Sequence, residues 1–252
     1  MADLEGQISG TRSRVKEKDM SLDVGLRNFM LGVYAKMALG LLLTGAIAWT
    51  VANIPAVRDL FYVVDATTGR LRALTLLGMA AQWLPLVVIL GSMAIRTATP
   101  RSSGILYWTI VSVIGLSGAI WFLAYRLGDI ANIFLIVASA FGALSLWGYT
   151  TKRDISGWSS FLVMGMWGTL IVLVGNMLFF HNEIARVVTS LFGVLIFAGF
   201  TAYDTQNIKA IYYRLGGSQT SRAVATNMGA LNFYLDFINM FQLLLSVFGG
   251  RR

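Results

Sequence analysis

Three polar side chains that could do chemistry lie in the last apolar stretch of the chain, Ala223–Gly250. Asn232, Asp236 and Asn239 are spaced at i, i+4 and i+7, so a helix would present them as one polar stripe. A carboxylate near the middle of a membrane costs at least about 2.5–3.5 kcal/mol on insertion scales. We therefore expect Asp236 to face other helices or water, and this helix to be the hub of the molecule.

A second acidic residue, Asp204, lies near the end of the preceding apolar stretch, and helical spacing places it on one face with Thr201 and Thr205. Two close carboxylates cannot both ionise cheaply in a low dielectric, so Asp204 and Asp236 would titrate as one unit if they met. Such a pair can share a proton, bind a cation or act as acid and base. The simplest alternative is a hydrogen-bonded network that only holds two helices together.

Calcium is one cation that this set of residues could attract. It takes about six to eight oxygen ligands, which carboxylates, amide oxygens, backbone carbonyls and water can supply. The two aspartates, Asn232 and Asn239 would provide part of such a set. The ligands of a bound metal cannot be assigned from these residues, so we expect calcium as a transported ion and not as a resident cofactor.

The composition is that of a membrane protein. Of 252 residues, 56% are hydrophobic and only 13% are charged, whereas soluble domains average about 25% charged residues. The apolar stretches of spanning length are Phe29–Ala52, Ala73–Ile95, Gly104–Tyr125, Ile130–Thr150, Ser159–Phe180, Val187–Tyr203 and Ala223–Gly250. Because they lack the alternation of barrel strands, we predict an all-α membrane protein with seven transmembrane helices.

The chain divides into a polar tail, residues 1–28, and one polytopic transmembrane domain, residues 29–252. The tail has no apolar core of a signal peptide, so we expect it to lie in the cytoplasm. The formal charge of +8 comes from basic residues spread over the ends of the apolar stretches, which favours contact with lipid headgroups over nucleic acid. The absence of cysteine excludes disulfides and iron–sulfur clusters.

The basic residues are distributed unequally between the two sides of the membrane. With seven crossings, the side of the amino terminus holds 12 of them: Arg12, Arg14, Lys16, Lys18, Arg27, Arg96, Arg101, Lys152, Arg153, Lys209, Arg214 and Arg222. The other side holds 7: Arg58, Arg70, Arg72, Arg126, Arg186, Arg251 and Arg252. The positive-inside rule then predicts a cytoplasmic amino terminus. A re-entrant last segment would increase the asymmetry to 14 against 5, but the length of the segment favours a full crossing.

Two sequence motifs resemble the signature of the Bax-inhibitor family, the transmembrane Bax-inhibitor-motif family, most closely its bacterial branch. They are FAGFTAYDTQNIK (Phe197–Lys209) and NFYLDFINMFQLLLSVFG (Asn232–Gly249). The resemblance implies seven helices with the last one central and six packed around it, in agreement with the hub inferred above. It also implies a multi-pass protein of the bacterial inner membrane.

The resemblance further implies a pH-sensitive calcium leak whose proton sensor is an aspartate pair, here Asp204 and Asp236. Asn232, Asn239 and Thr201 would support this pair. A basic residue of the second span can engage the pair in the family, and Arg96 is the candidate for this latch. In some bacterial relatives the implied role is different, namely binding and restraining a membrane-anchored ATP-dependent protease. That non-transporting regulatory role is the alternative function.

Enzymes form a rival class that the residues disfavour. Intramembrane aspartyl proteases also use two aspartates, but they carry a Gly-x-Gly-Asp motif where this chain has Phe233-Tyr234-Leu235-Asp236. A zinc hydrolase lacks ligands, because His181 is the single histidine and cysteine is absent. We expect no catalytic residues and no cofactor.

Overall fold

The computed structural model describes residues 23–65, 67–92, 99–215 and 218–251, which are mostly helical. In chain order the elements are α1 (Val24–Asn53), α2 (Pro55–Phe61), β1 (Tyr62–Val64), β2 (Leu71–Leu74), α3 (Leu76–Ser92), α4 (Pro100–Ser117), α5 (Ala119–Ala124), α6 (Leu127–Thr150), a 3-10 turn (Ser156–Trp158), α7 (Ser159–Gly175), a π turn (Asn176–Phe180), α8 (Glu183–Arg214) and α9 (Gln219–Phe248). Arg96 and residues 1–22 of the predicted tail lie outside the described ranges.

Within these ranges, six segments are long and apolar enough to cross a membrane. They are Val24–Asn53, Pro100–Ala124, Leu127–Thr150, Ser156–Phe180, Glu183–Arg214 and Gln219–Phe248. The remaining predicted stretch, Ala73–Ile95, corresponds to α3, which has only 17 residues in the described part of the chain. The expectation of seven spans of full length is therefore met for six.

The start of the stretch Ala73–Ile95 is shortened by a small hairpin. Ala73 and Leu74 pair with Val63 and Tyr62 in antiparallel register, so these apolar residues belong to a strand and not to the helix. The turn is stabilised at Asp65, whose pKa is held well below its ordinary value by the hydroxyl and backbone N–H of Thr67, with further help from Thr68 and Arg72.

Several of the long helices begin at a residue whose side chain accepts from a free backbone N–H group of the first turn. Thr99 accepts from the backbone N–H of Ser102 at the start of α4, and Pro100 follows in the first turn. Asn182 and Ser218 cap α8 and α9 in the same way. Since no breaker interrupts α8, the helix continues to Arg214, beyond the end of the apolar stretch Val187–Tyr203.

The last helix, α9, runs from one end of the molecule to the other. Asn227, in the part of α9 nearer its start, donates to the carbonyl of Pro100 at the start of α4. We call the end of the molecule that contains this contact the amino-terminal end. At the carboxy-terminal end, the backbone N–H of Gly250 donates to Asp129 Oδ2 at 3.0 Å. Between these ends α9 packs against α1, α4, α6 and α8.

Helices α6 and α8 approach each other closely at Gly148. A Cβ atom at this position would lie 2.4 Å from the carbonyl oxygen of Ala202. Backbone atoms cannot yield as a flexible side chain does, so only glycine fits without moving a helix. This contact sets the position of the α8 segment that contains Thr201 and Asp204.

We expect Gly148→Ala to lower stability by roughly 1–3 kcal/mol because it forces α6 away from α8. Gly142→Ala is the matched control on the same helix, since its Cβ would have no neighbour within 4 Å. The control should be neutral or stabilising by up to about 1 kcal/mol, because alanine is the better helix former. Thermal unfolding of the purified variants in detergent measures the difference, and equal midpoints would contradict the close approach.

Candidate functional site

The two aspartates lie between the last two long helices, α8 and α9. Asp204 is 7% exposed and Asp236 is 5% exposed. The side chain of Asn232 lies next to Asp204. The carboxyl groups of Asp204 and Asp236 lie close enough for their charges to repel each other. The two residues that the sequence singled out are thus brought together.

The pair is under-satisfied in the described part of the chain. Asp236 Oδ2 is buried and has no hydrogen-bond partner there. The ion pairs of the described residues are Arg58–Asp59, Arg72–Asp65 and Arg186–Glu183, and none of them involves either aspartate. A buried carboxylate without a partner is costly, so this site has a capacity for a proton or a cation that its neighbours do not fill.

Aromatic rings enclose α9 on the face of the neighbouring α6. Phe141 packs edge-on against Phe233 at 5.5 Å between ring centroids, and Phe134 lies 5.1 Å from Phe237. These rings keep the surroundings of the helix apolar. In such a dry environment the repulsion between two charges is stronger than in water.

The supporting residues predicted from the sequence are placed differently from one another. Asn232 reaches Asp204, as described above. Thr201 donates to the carbonyl of Phe197, and Asn239 donates to the carbonyl of Leu235, so both of these bonds stay within their own helices. Arg96, the predicted latch, lies outside the described residues.

Other polar groups near the pair come from α1 and α6. The hydroxyl oxygens of Thr205 in α8 and Ser145 in α6 are 3.4 Å apart, and Tyr34 of α1 lies close to both residues. Thr205 lies one residue after Asp204, and its hydroxyl also donates to the carbonyl of Thr201. The hydroxyl groups therefore tie α1, α6 and α8 together beside the pair.

Lys36, near the start of the first apolar stretch, makes contacts that were not predicted from the sequence. Its ammonium group donates to Asn227 Oδ1 of α9 and lies 5.2 Å from the ring centroid of Tyr107 and 5.6 Å from that of Trp108. Asn227 Nδ2 in turn donates to Ser103 Oγ at 2.8 Å. A lysine inside an apolar stretch is the sequence signal from which this cluster could have been predicted.

A second polar cluster lies deeper in the same three-helix contact of α1, α4 and α9. Tyr107 donates to the backbone carbonyl of Lys36 at 2.7 Å. The hydroxyls of Thr44 and Tyr234 are 2.6 Å apart, and Thr44 also donates to the carbonyl of Val111. These bonds satisfy polar groups that would be expensive to leave unpaired in an apolar interior.

A buried site with two carboxyl groups can bind a proton or a cation. Among the described residues, no group of three or more His, Cys, Asp or Glu side chains could hold a metal ion. Two carboxyl groups that share a buried site can exchange a proton and change the force between the helices that carry them.

The fold and site define a helical membrane protein with an acidic pair buried between its last two long helices. The chain belongs to the Bax-inhibitor family, since the family described as inhibitor of apoptosis-promoting Bax1 matches residues 26–252. This match confirms the family predicted from the two motifs.

Several bacterial proteins are similar over almost their whole length. An uncharacterised protein of Caulobacter vibrioides is 49% identical over 235 residues, which are 93% of each chain. Inner membrane protein YbhL of Escherichia coli K12 is 38% identical over 229 residues, 90% of this chain and 94% of its own. An uncharacterised protein of Rickettsia prowazekii is 37% identical over 235 residues, 93% of this chain and 94% of its own.

The Lys36–Asn227 contact predicts an energetic coupling between α1 and α9. Asn227→Ala should lower the free energy of unfolding by roughly 1–3 kcal/mol, because Lys36 loses its acceptor and Ser103 its donor. In the Lys36→Met background the same change should cost less, by about 0.5 kcal/mol or more. Equilibrium unfolding in mixed micelles measures all four proteins of this cycle.

Asn53→Ala is the control for this cycle, because Asn53 donates only to Trp49 of its own helix among the contacts described. Its effect should add to that of Lys36→Met. If the Asn227 and Lys36 effects were equally additive, the two side chains would not be coupled.

Proposed function

We propose that the chain is a proton-gated cation leak of the bacterial inner membrane, with calcium as the transported ion. The observation that carries this proposal is the pair Asp204 and Asp236, which is buried between two helices and forms no ion pair within the described residues. A purely structural pair of acids would be expected to have a basic partner or a full set of donors.

The proposed topology has seven crossings, with α9 in the centre and the amino terminus in the cytoplasm. Contacts of α9 with α1, α4, α6 and α8 support the central position. The shorter α3 would complete the count, because Gln82 near its start contacts the carbonyl of Ser117 at the end of α4, which indicates that the two helices are antiparallel. The excess of basic residues on the amino-terminal side supports the orientation, and the inner-membrane relative YbhL supports the location.

The proposed gating step is a change in the number of protons held by the aspartate pair. With one proton, a carboxyl group donates to a carboxylate and holds α8 against α9. Without it, two like charges in a dry site repel each other and favour separation of the helices. A difference of about 1.4 kcal/mol is enough to change the open population tenfold. Opening therefore increases as pH rises through the titration of the pair.

This mechanism predicts that Asp204→Asn or Asp236→Asn flattens the pH response of calcium flux. Asparagine keeps the shape of the side chain and removes its titration. Purified protein in calcium-loaded or dye-loaded proteoliposomes, measured over a pH series, gives the profile. The wild-type protein should show at least about a tenfold change in rate, and each variant should show a rate nearly independent of pH.

Asp154→Asn is the matched control because this loop aspartate is exposed and its pKa is held below its ordinary value by the backbone N–H and hydroxyl of Ser156. It stays ionised near neutral pH, so its removal should leave the profile unchanged. Two folded variants, D204N and D236N, with the wild-type profile would show that the pair is not the sensor. A folded wild-type protein without flux above empty vesicles would favour the non-transporting regulatory role.

The topology makes a separate prediction that uses the lack of cysteine in the chain. A cysteine added after Arg252 should react with a membrane-impermeant thiol reagent on the outer face of intact cells. One placed near Lys152, in the loop after α6, should react only after the cells are opened. Labelling of the added carboxy-terminal cysteine only in opened cells would support a re-entrant last segment instead.

A further inference from the structure

The seam between α8 and α9 continues from the aspartate pair to the carboxy-terminal end of the bundle. Along α8 it is formed by Arg186, Ser190 and Gly193, which repeat at helical spacing on the face that continues to Asp204. On α9 the facing positions are Leu243 and Ser246. Ser246 lies about 15 Å beyond Asp236 along the helix, at 1.5 Å rise per residue.

Contacts between the two helices follow this seam in order. A Cβ at Gly193 would lie 2.8 Å from Leu243 Cδ1, so the helices pack tightly there. One turn further out, the hydroxyls of Ser190 and Ser246 are 3.1 Å apart, and Ser190 is 1% exposed. The contact of Gly193 with Leu243 thus forms a narrow apolar layer. The two serines lie on its outer side, toward the carboxy-terminal end, and the aspartates lie on its inner side.

Arg186 joins α8 to α9 at the outer end of the seam, and we call its contacts with Ser246 and Glu183 the arginine clasp. Arg186 of α8 donates to the backbone carbonyl of Ser246 on α9, and it also forms a two-pronged ion pair with Glu183. The Arg186 side chain is 21% exposed, whereas that of Glu183 is 71% exposed. The side chain of Arg186 therefore lies largely within the seam, whereas the carboxylate that binds it lies at the protein surface.

The end of the chain reinforces this closure. The carbonyl of Gly250 accepts from the backbone N–H of Arg126 at 3.2 Å, and Asp129 accepts from the N–H of Gly250. Arg251 and Tyr125 lie near enough to act electrostatically on Glu183 and Arg186, respectively. The residues that follow α9 are therefore fastened to the start of α6, close to the pair of Arg186 and Glu183.

We propose that Arg186, held by Glu183, is the outer gate of the seam between α8 and α9. This inference rests on the proposed cation leak and assigns the regulation of its pathway. When Glu183 no longer holds it, the guanidinium of Arg186 loses its anionic partner and leaves the seam. Because Arg186 is positively charged, it repels cations from the outer end of the seam while it remains there.

The first test measures access of water to the seam and does not depend on ion flux. Cysteine replaces Asn239, which lies one helical turn inward from Leu243. The rest of the chain is free of cysteine. An impermeant methanethiosulfonate reagent is supplied on both faces of proteoliposomes. Arg186→Gln should raise the labelling rate of this cysteine severalfold, whereas a cysteine in place of Met228, toward the amino-terminal end, should label at an unchanged rate.

Arg58→Gln is the matched control, because Arg58 also pairs with a neighbouring acid, Asp59, but lies outside the seam. It should leave the labelling of the Asn239→Cys protein unchanged. If Arg186→Gln does not fold, Glu183→Gln replaces it: its exposed side chain can be changed without opening a cavity, and it frees the arginine by removing its anionic partner. It should raise the labelling rate in the same direction.

The second test is calcium flux. Arg186→Gln should raise the rate by about tenfold, because a positive charge is removed from the mouth of a cation pathway, and the pH response should persist because the aspartates are intact. Unchanged labelling in both Arg186→Gln and Glu183→Gln would overturn the gate, whatever the flux. Increased labelling without calcium flux in any protein would support the gate as a closure and reject the leak.

Discussion

The burial of two carboxyl groups in a lipid-bounded interior is the constraint on which the rest of this structure depends. An aspartate cannot face hydrocarbon without a large free-energy cost, so the helix that carries Asp236 must be covered by others. Its contacts with α1, α4, α6 and α8 provide that cover. The close approach at Gly148 meets the same requirement, because it brings α6 against the segment of α8 that holds Asp204.

Most other polar groups in the long helices are satisfied locally. Thr201 and Asn239 each donate to a carbonyl one turn earlier in their own helix. Such bonds make a hydroxyl or amide tolerable in an apolar interior without linking it to a neighbour. The aspartates have no donor hydrogen of this kind when ionised, so they depend on other residues, protons or ions. This difference separates the pair from the polar residues around it.

The helices and the burial of the pair could be predicted from the sequence because they follow from apolar length and from the cost of a charge in lipid. The contacts of Thr201 and Asn239 could not, since helical spacing gives the face of a side chain but not the atom that it bonds. The partner of Lys36 was missed for a related reason: its long, flexible stem can reach either the interface or Asn227. The shortening of α3 depends on strand pairing between Tyr62 and Leu74, which apolar composition alone does not distinguish from a helix.

The two ends of α9 are fastened by different chemistry, and this difference bears on how they can be released. At the amino-terminal end the cation of Lys36 is held by a neutral amide and two aromatic rings. No dissolved cation can replace it there by competing for an acid. At the carboxy-terminal end Arg186 is held by Glu183, a carboxylate open to competing ions. The contacts at the two ends of α9 therefore differ in how strongly dissolved ions can weaken them.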